Sequence, residues 1–142
     1  MRRMTARLGA LVATALLAVT TQAGQAGAAD EAAYFTMRDI TRSDFVIKLT
    51  DPAKIREARD IVANQEHRIV VGRLVKRPAE YNPRWSFHYN PDTVQFVAAA
   101  IEVCDATTPY VEDHLDEAGG AFLPGLVWCP WTGRLTAEIP TP

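Results

Sequence analysis

Apolar residues recur at every second position in several short stretches of this chain and at every third or fourth in others, and the two periods separate strands from helices. Tyr34 to Ile40 and Phe45 to Leu49 read as strands; in the second, Phe45, Ile47 and Leu49 point one way and Val46 and Lys48 the other. Thr41-Arg42-Ser43-Asp44 is polar and short enough for a hairpin turn, so the two strands are expected to pair antiparallel. Thr50-Asp51-Pro52 then supplies a capping oxygen and a proline suited to a first helical turn. The helix it opens carries Ile55, Ala58, Ile61 and Val62 on one side and Arg56, Arg59 and Asp60 on the other, with Asn64 as its stop.

Ile69 to Val75 is rich in β-branched residues and predicts a central strand, with Gly72 as a bulge. Pro78 and Pro83 bracket a loop from Lys76 to Arg84, after which Trp85, Phe87 and Tyr89 alternate along a further strand. Asn90-Pro91-Asp92-Thr93 fits a type I turn. Between Val94 and Cys104 the signals conflict, because Ala98, Ala99 and Ala100 favour helix while Ile101, Val103 and Cys104 favour strand; a strand is expected over Ala99 to Cys104. Thr107 or Thr108 caps a second helix, with Val111, Leu115 and Ala118 as its core stripe and Gly119-Gly120 as its end. Arg134 to Ile139 is the last strand. The order β-β-α-β-β-β-α-β predicts an α+β fold, two helices on one mostly antiparallel sheet.

The N-terminus has a different pattern. Arg2, Arg3 and Arg7 precede an uncharged run from Leu8 to Val19, and Ala26-Gly27-Ala28 follows. A spanning helix takes about 20 apolar residues, so this run is too short; basic, apolar and small residues in that order make a secretory signal peptide. Residues 1–28 are expected to be removed, leaving 29–142 as a single secreted domain with no membrane span. The Arg2-Arg3 pair lacks the bulky apolar neighbours of a twin-arginine signal.

Export changes the chemistry. It removes three arginines and no acids, so 12 basic and 17 acidic side chains remain, a net charge of −5. Residues 91–142 carry eight acids and a single base, Arg134. Such a half either complements the more basic residues 30–90 within the fold or presents an acidic face to a partner. Cys104 and Cys129 lie in the exported part, where thiols oxidise, and a disulfide is the expected state. A reactive thiol, a metal ligand pair and two unbridged buried cysteines are the alternatives, and the absence of a Cys-x-x-Cys pair argues against zinc or redox chemistry.

Candidate chemistry is sparse. Glu112, Asp113, Asp116 and Glu117 with His114 place carboxylates on neighbouring helix faces, a pattern of either metal ligands or a solvated acidic surface. It matches neither an EF-hand loop nor His-Glu-x-x-His. His67, His88 and His114 fall on three different elements, no Gly-x-Ser-x-Gly elbow is present, and no phosphate-binding glycine loop occurs. Arg68, Arg73, Lys76, Arg77 and Arg84 with Tyr81 and Trp85 combine base and aromatic as single-stranded nucleic-acid binders do, but the net charge argues against nucleic acid. No cofactor and no metal is expected.

Several strings together carry a resemblance: Phe45 to Pro52 followed by Ala58-Arg59, Val75 to Pro78, Tyr81 to His88, Ile101 to Asp105, Tyr110 to Glu112, and Trp128-Cys129-Pro130-Trp131. They look like the N-terminal domain of an amoebal calmodulin-binding protein, a domain also found in small secreted bacterial proteins. The resemblance runs from about Tyr34 to Ile139; the family name suggests calmodulin binding, and no catalytic residues carry over from it.

The expected function is a secreted, disulfide-stapled module that recognises a protein or surface ligand. Its expected contacts are Tyr81, Arg84, Trp85, Trp128 and Trp131, because exposed Trp, Tyr and Arg supply most hot-spot energy; core packing is the alternative role for each tryptophan. Two other functions compete: a small hydrolase or metal-dependent enzyme using His88 or His114 with Glu102, Asp105 or Glu112, and a protease inhibitor presenting a rigid loop.

Overall fold

A computed structural model describes residues 31–142; the expected signal peptide, residues 1–28, lies outside the described residues. The hairpin forms as its alternation dictates. Strands β1 (Ala33–Arg38) and β2 (Asp44–Leu49) pair antiparallel with Ala33 opposite Leu49, Phe35 opposite Ile47 and Met37 opposite Phe45, so all six side chains line one buried face. Sinking a side chain of this size is worth about 1.5–3 kcal/mol, which fixes the register.

Helix α1 (Pro52–Asn64) is capped by Asp51, whose Oδ1 accepts the Ala53 N–H at 2.7 Å, with Pro52 in the first turn. It closes one residue beyond Asn64: Gln65 adopts a left-handed φ of 54°, and the N–H groups of Gln65 and Glu66 turn back onto Val62 and Ile61 carbonyls. Ile55, Ala58 and Ile61 enter the core.

Strand β3 (Ile69–Val75) pairs antiparallel with three short strands, β4 (His88–Tyr89), β5 (Gln95–Val97) and β8 (Val127–Trp128). Gly72 is not a bulge. A Cβ there would stand 2.8 Å from Tyr89 Cδ1, so the glycine admits the Tyr89 ring against the strand. Trp85, Phe87 and Tyr89 do alternate into the core, but only His88 and Tyr89 join the ladder.

The expected strand over Ala99–Cys104 is absent. The ladder lies earlier, at β5, and Glu102–Cys104 is a 3₁₀ turn closed by the Cys104 N–H on Ile101 O. Helix α2 (Thr108–Asp113) is also shorter than expected, giving way after His114 to turns and to a small parallel pair, β6 (Ala118–Gly119) with β7 (Phe122–Pro124). Strand β9 (Arg134–Ile139) pairs antiparallel with β1, completing a sheet of order β2-β1-β9 with a bulge between Thr36 and Met37. The fold is α+β as expected, with its antiparallel strands divided between two sheets around a shared core.

That core is aromatic at its centre. Trp128 stacks on Tyr89 at 5.0 Å between ring centroids and meets Phe45 and Phe87 edge-on at 5.2 and 5.5 Å. A smaller cluster holds Ile69 and the Cys104–Cys129 disulfide, which joins the 3₁₀ turn to the end of β8.

Candidate binding site

The disulfide anchors the base of a turn that carries an exposed tryptophan two residues on. Cys129 donates its N–H to Cys104 O at 2.7 Å, and Pro130 to Gly133 then forms a tight turn closed by Gly133 N–H on Pro130 O at 2.9 Å. Gly133 is needed here, because a Cβ would stand 2.8 Å from Met37 Sδ. Trp131 sits at the turn's outer corner with its main chain held from both sides. Its N–H donates to Asp105 Oδ1 at 2.8 Å, and its carbonyl accepts from His67 Nε2 at 3.1 Å. Since a carbonyl only accepts, His67 carries a hydrogen on Nε2.

Trp131 is 38% exposed and walls a cleft of about 430 Å³ with Arg38, Ile40, His67, Arg134 and Thr136. Ile40 is 73% exposed, the largest exposure among the bulky apolar residues described, and its N–H donates to Thr132 Oγ1 at 3.3 Å, tying the two rims together. Tryptophan and arginine are among the residue types enriched in recognition hot spots.

The two arginines of the cleft are paired differently. Arg38 and Arg134 stand opposite each other in register on β1 and β9. Arg38 is neutralised by a bidentate pair with Asp44, at 2.6 and 2.8 Å, and this pair, with the Arg84 charge adding to it, holds the Asp44 carboxyl below its ordinary range. Arg134 has no ion-pair partner among the described residues. Asp39 also borders the cleft, but it is buried and already accepts from the N–H and hydroxyl of Thr41 and from the Thr108 N–H.

The residues expected to form the site do not form one patch. Trp128 is fully buried with its indole N–H on Ala106 O, and Trp85 is 8% exposed with its N–H on Asp44 O, so both are core residues and not contacts. Arg84 is exposed and lies over the Trp85 ring at 5.7 Å. Tyr81 is half-buried against Tyr34 and His88; burial, with the Tyr34 phenol adding to it, pushes its hydroxyl up to about 12. Trp131 alone of the three tryptophans is available. Ile40, Arg38 and Arg134 escaped sequence reasoning, although Arg134 was legible as the only base of the C-terminal half.

Four of the competing catalytic groups are engaged with other partners. His88 Nδ1 contacts Arg77 O, His114 Nδ1 contacts Tyr110 O, Glu112 accepts from the Ser86 N–H and hydroxyl, and Asp105 is taken by Trp131. Because α2 ends at Asp113, Asp116 and Glu117 do not continue a helical acidic face. Among the described residues no group of three or more His, Cys, Asp or Glu side chains is placed to hold a metal ion, and no helix is long and apolar enough to cross a membrane. A second groove of about 410 Å³, lined by Val71, Val97, Ile101, Val103, Pro124 and Val127, lies against the disulfide.

Fold and cleft together define a disulfide-stapled α+β domain with a cleft that presents an aromatic corner beside arginine. Residues 31–142 match the family model of the BP-74 N-terminal domain, the calmodulin-binding-protein domain that the sequence resembles, and the chain belongs to that family. Neither the curated proteins nor the solved structures compared with the chain give a match.

Proposed function

We propose that the chain is exported and that residues 29–142 act as a small binding module that recognises a protein or surface ligand through the Trp131 cleft. The carrying observation is the way Trp131 is presented: its ring is exposed while Asp105 and His67 hold its main chain and the turn rests on a disulfide. An anchor fixed before binding loses little conformational freedom on association. The basic, apolar and small residues of 1–28 and the disulfide support export. Calmodulin recognition through α1 gains no support, because the helix turns Ile55 and Ile61 into the core.

The test compares wild-type protein and Trp131→Ala, each produced from the full chain and recovered with its disulfide intact, as bait on culture medium and cell surfaces. Partners retained by the wild type and lost by the variant at unchanged Tm are expected. Equal retention by both, or retention by neither, overturns the reading.

A further inference from the structure

We infer that the Trp131 cleft binds an acidic side chain, Asp or Glu, on a protein segment that also carries a bulky apolar side chain. The inference rests on the preceding proposal for the site and adds the chemistry of its ligand. Like charges directly opposite on paired strands repel, yet Arg38 and Arg134 are so placed, and among the described residues only Arg38 is paired with a carboxylate. The other acid of the cleft, Asp39, is buried and turned to Thr41 and Thr108. Arg134 therefore presents a guanidinium with no ion-pair partner among the described residues, a two-pronged donor suited to a carboxylate.

The apolar part of the ligand follows from the walls. Ile40 and Trp131 stand exposed on the two rims, and the Ile40–Thr132 hydrogen bond holds those rims in place. A side-chain carboxylate fits better than a chain terminus. Terminal carboxylates are captured by nests of free backbone N–H groups, and here the N–H groups of Ile40 and Trp131 already donate to Thr132 and Asp105.

Tryptophan fluorescence tests this directly, since Trp85 and Trp128 are buried and Trp131 reports on the cleft. The probes are N-acetyl-Phe-Glu-amide, N-acetyl-Phe-Gln-amide and N-acetyl-Gln-Phe with a free C-terminal carboxylate. Saturable quenching by the Glu probe is expected, with affinity at least about tenfold higher than for the Gln probe, as a charge-assisted hydrogen bond implies. Arg134→Gln should abolish that preference and Arg134→Lys should restore part of it, both at wild-type Tm. Equal binding of Glu and Gln probes, stronger binding of the free-acid probe, or no saturable response up to about 10 mM overturns the inference. If Trp131→Ala loses its partners while the peptides show no charge preference, the binding-module proposal stands and the acidic-ligand inference falls.

Discussion

Asn82 holds Val46 by both ends of its carboxamide: Oδ1 accepts the Val46 N–H at 2.8 Å, and Nδ2 donates to the Val46 carbonyl at 2.6 Å. The side chain thus does for β2 what a neighbouring strand would do. Three residues on, the Trp85 indole N–H donates to Asp44 O on the same strand. An open strand edge is a template for aggregation, and the Tyr81 to Trp85 string closes this one. Asn82 and Trp85 serve the sheet, and no residue of this string lines the Trp131 cleft.

Replacing Asn82 by Ala should cost about 2–4 kcal/mol, because two main-chain groups lose their partner in a site from which water is largely excluded. Asn82→Asp should be as damaging at neutral pH, since a carboxylate cannot donate to Val46 O, and should recover part of the loss in acid as the side chain regains a proton. Urea unfolding at two pH values distinguishes the variants. Equal stability of Asn82→Ala and wild type would show that the clamp contributes nothing.

Oxidation of Cys104 and Cys129 closes a loop across a sequence separation of 25. The chain-entropy treatment gives about 3 kcal/mol for a loop of this order. The double variant Cys104→Ala/Cys129→Ala should lose that much in chemical denaturation and should also weaken any binding that depends on the Trp131 turn, because the bridge anchors its base. Loss of stability with unchanged Trp131 quenching by added iodide would separate the two roles.

Gly72 and Tyr89 are sterically coupled. Gly72→Ala places a methyl 2.8 Å from the Tyr89 ring and should cost about 1–3 kcal/mol by overpacking. Shortening the ring position with Tyr89→Leu should itself destabilise, but the double variant should be more stable than the sum of the two single losses predicts. Strict additivity in thermal unfolding would refute the close-approach account of this glycine.

How much of this was legible depended on the range of the interactions. The β1–β2 hairpin, the Asp51–Pro52 helix start, β3 and β9 follow from residues within a few positions of one another, and the sequence predicts all of them. The region from Ala99 to Asp113 is organised from a distance. Cys129 draws Cys104 into a 3₁₀ turn, and the expected threonine cap of α2 is replaced by Asp39, 69 residues upstream, bonding the Thr108 N–H. Ile101 and Val103, which signalled a strand, are 70% and 60% exposed. The cleft was illegible for the same reason, since Arg38, Trp131 and Arg134 meet only once β9 returns to β1.

Asp39 makes the acid limb of stability a test of that long-range cap. Burial raises its carboxyl, but the Thr41 hydroxyl and the N–H groups of Thr108 and Thr41 outweigh burial and hold it below its ordinary value. The buried Thr108 hydroxyl sits by the same carboxylate without strict hydrogen-bond geometry. A carboxyl lowered on folding stabilises above its unfolded pKa, about 3.9 for Asp, and that contribution drains away as pH falls through the lower folded value. Asp44 and Glu138 are lowered in the same direction by Arg38 and Arg59, but both pairs are solvent-exposed and their share is small. Asp39→Asn should therefore cost about 1–3 kcal/mol at neutral pH, and its gap from the wild type should narrow steadily below about pH 4, where the carboxylate takes up its proton. A gap that stays constant from neutral to acid would mean that the cap acts by shape alone, with no contribution from its charge.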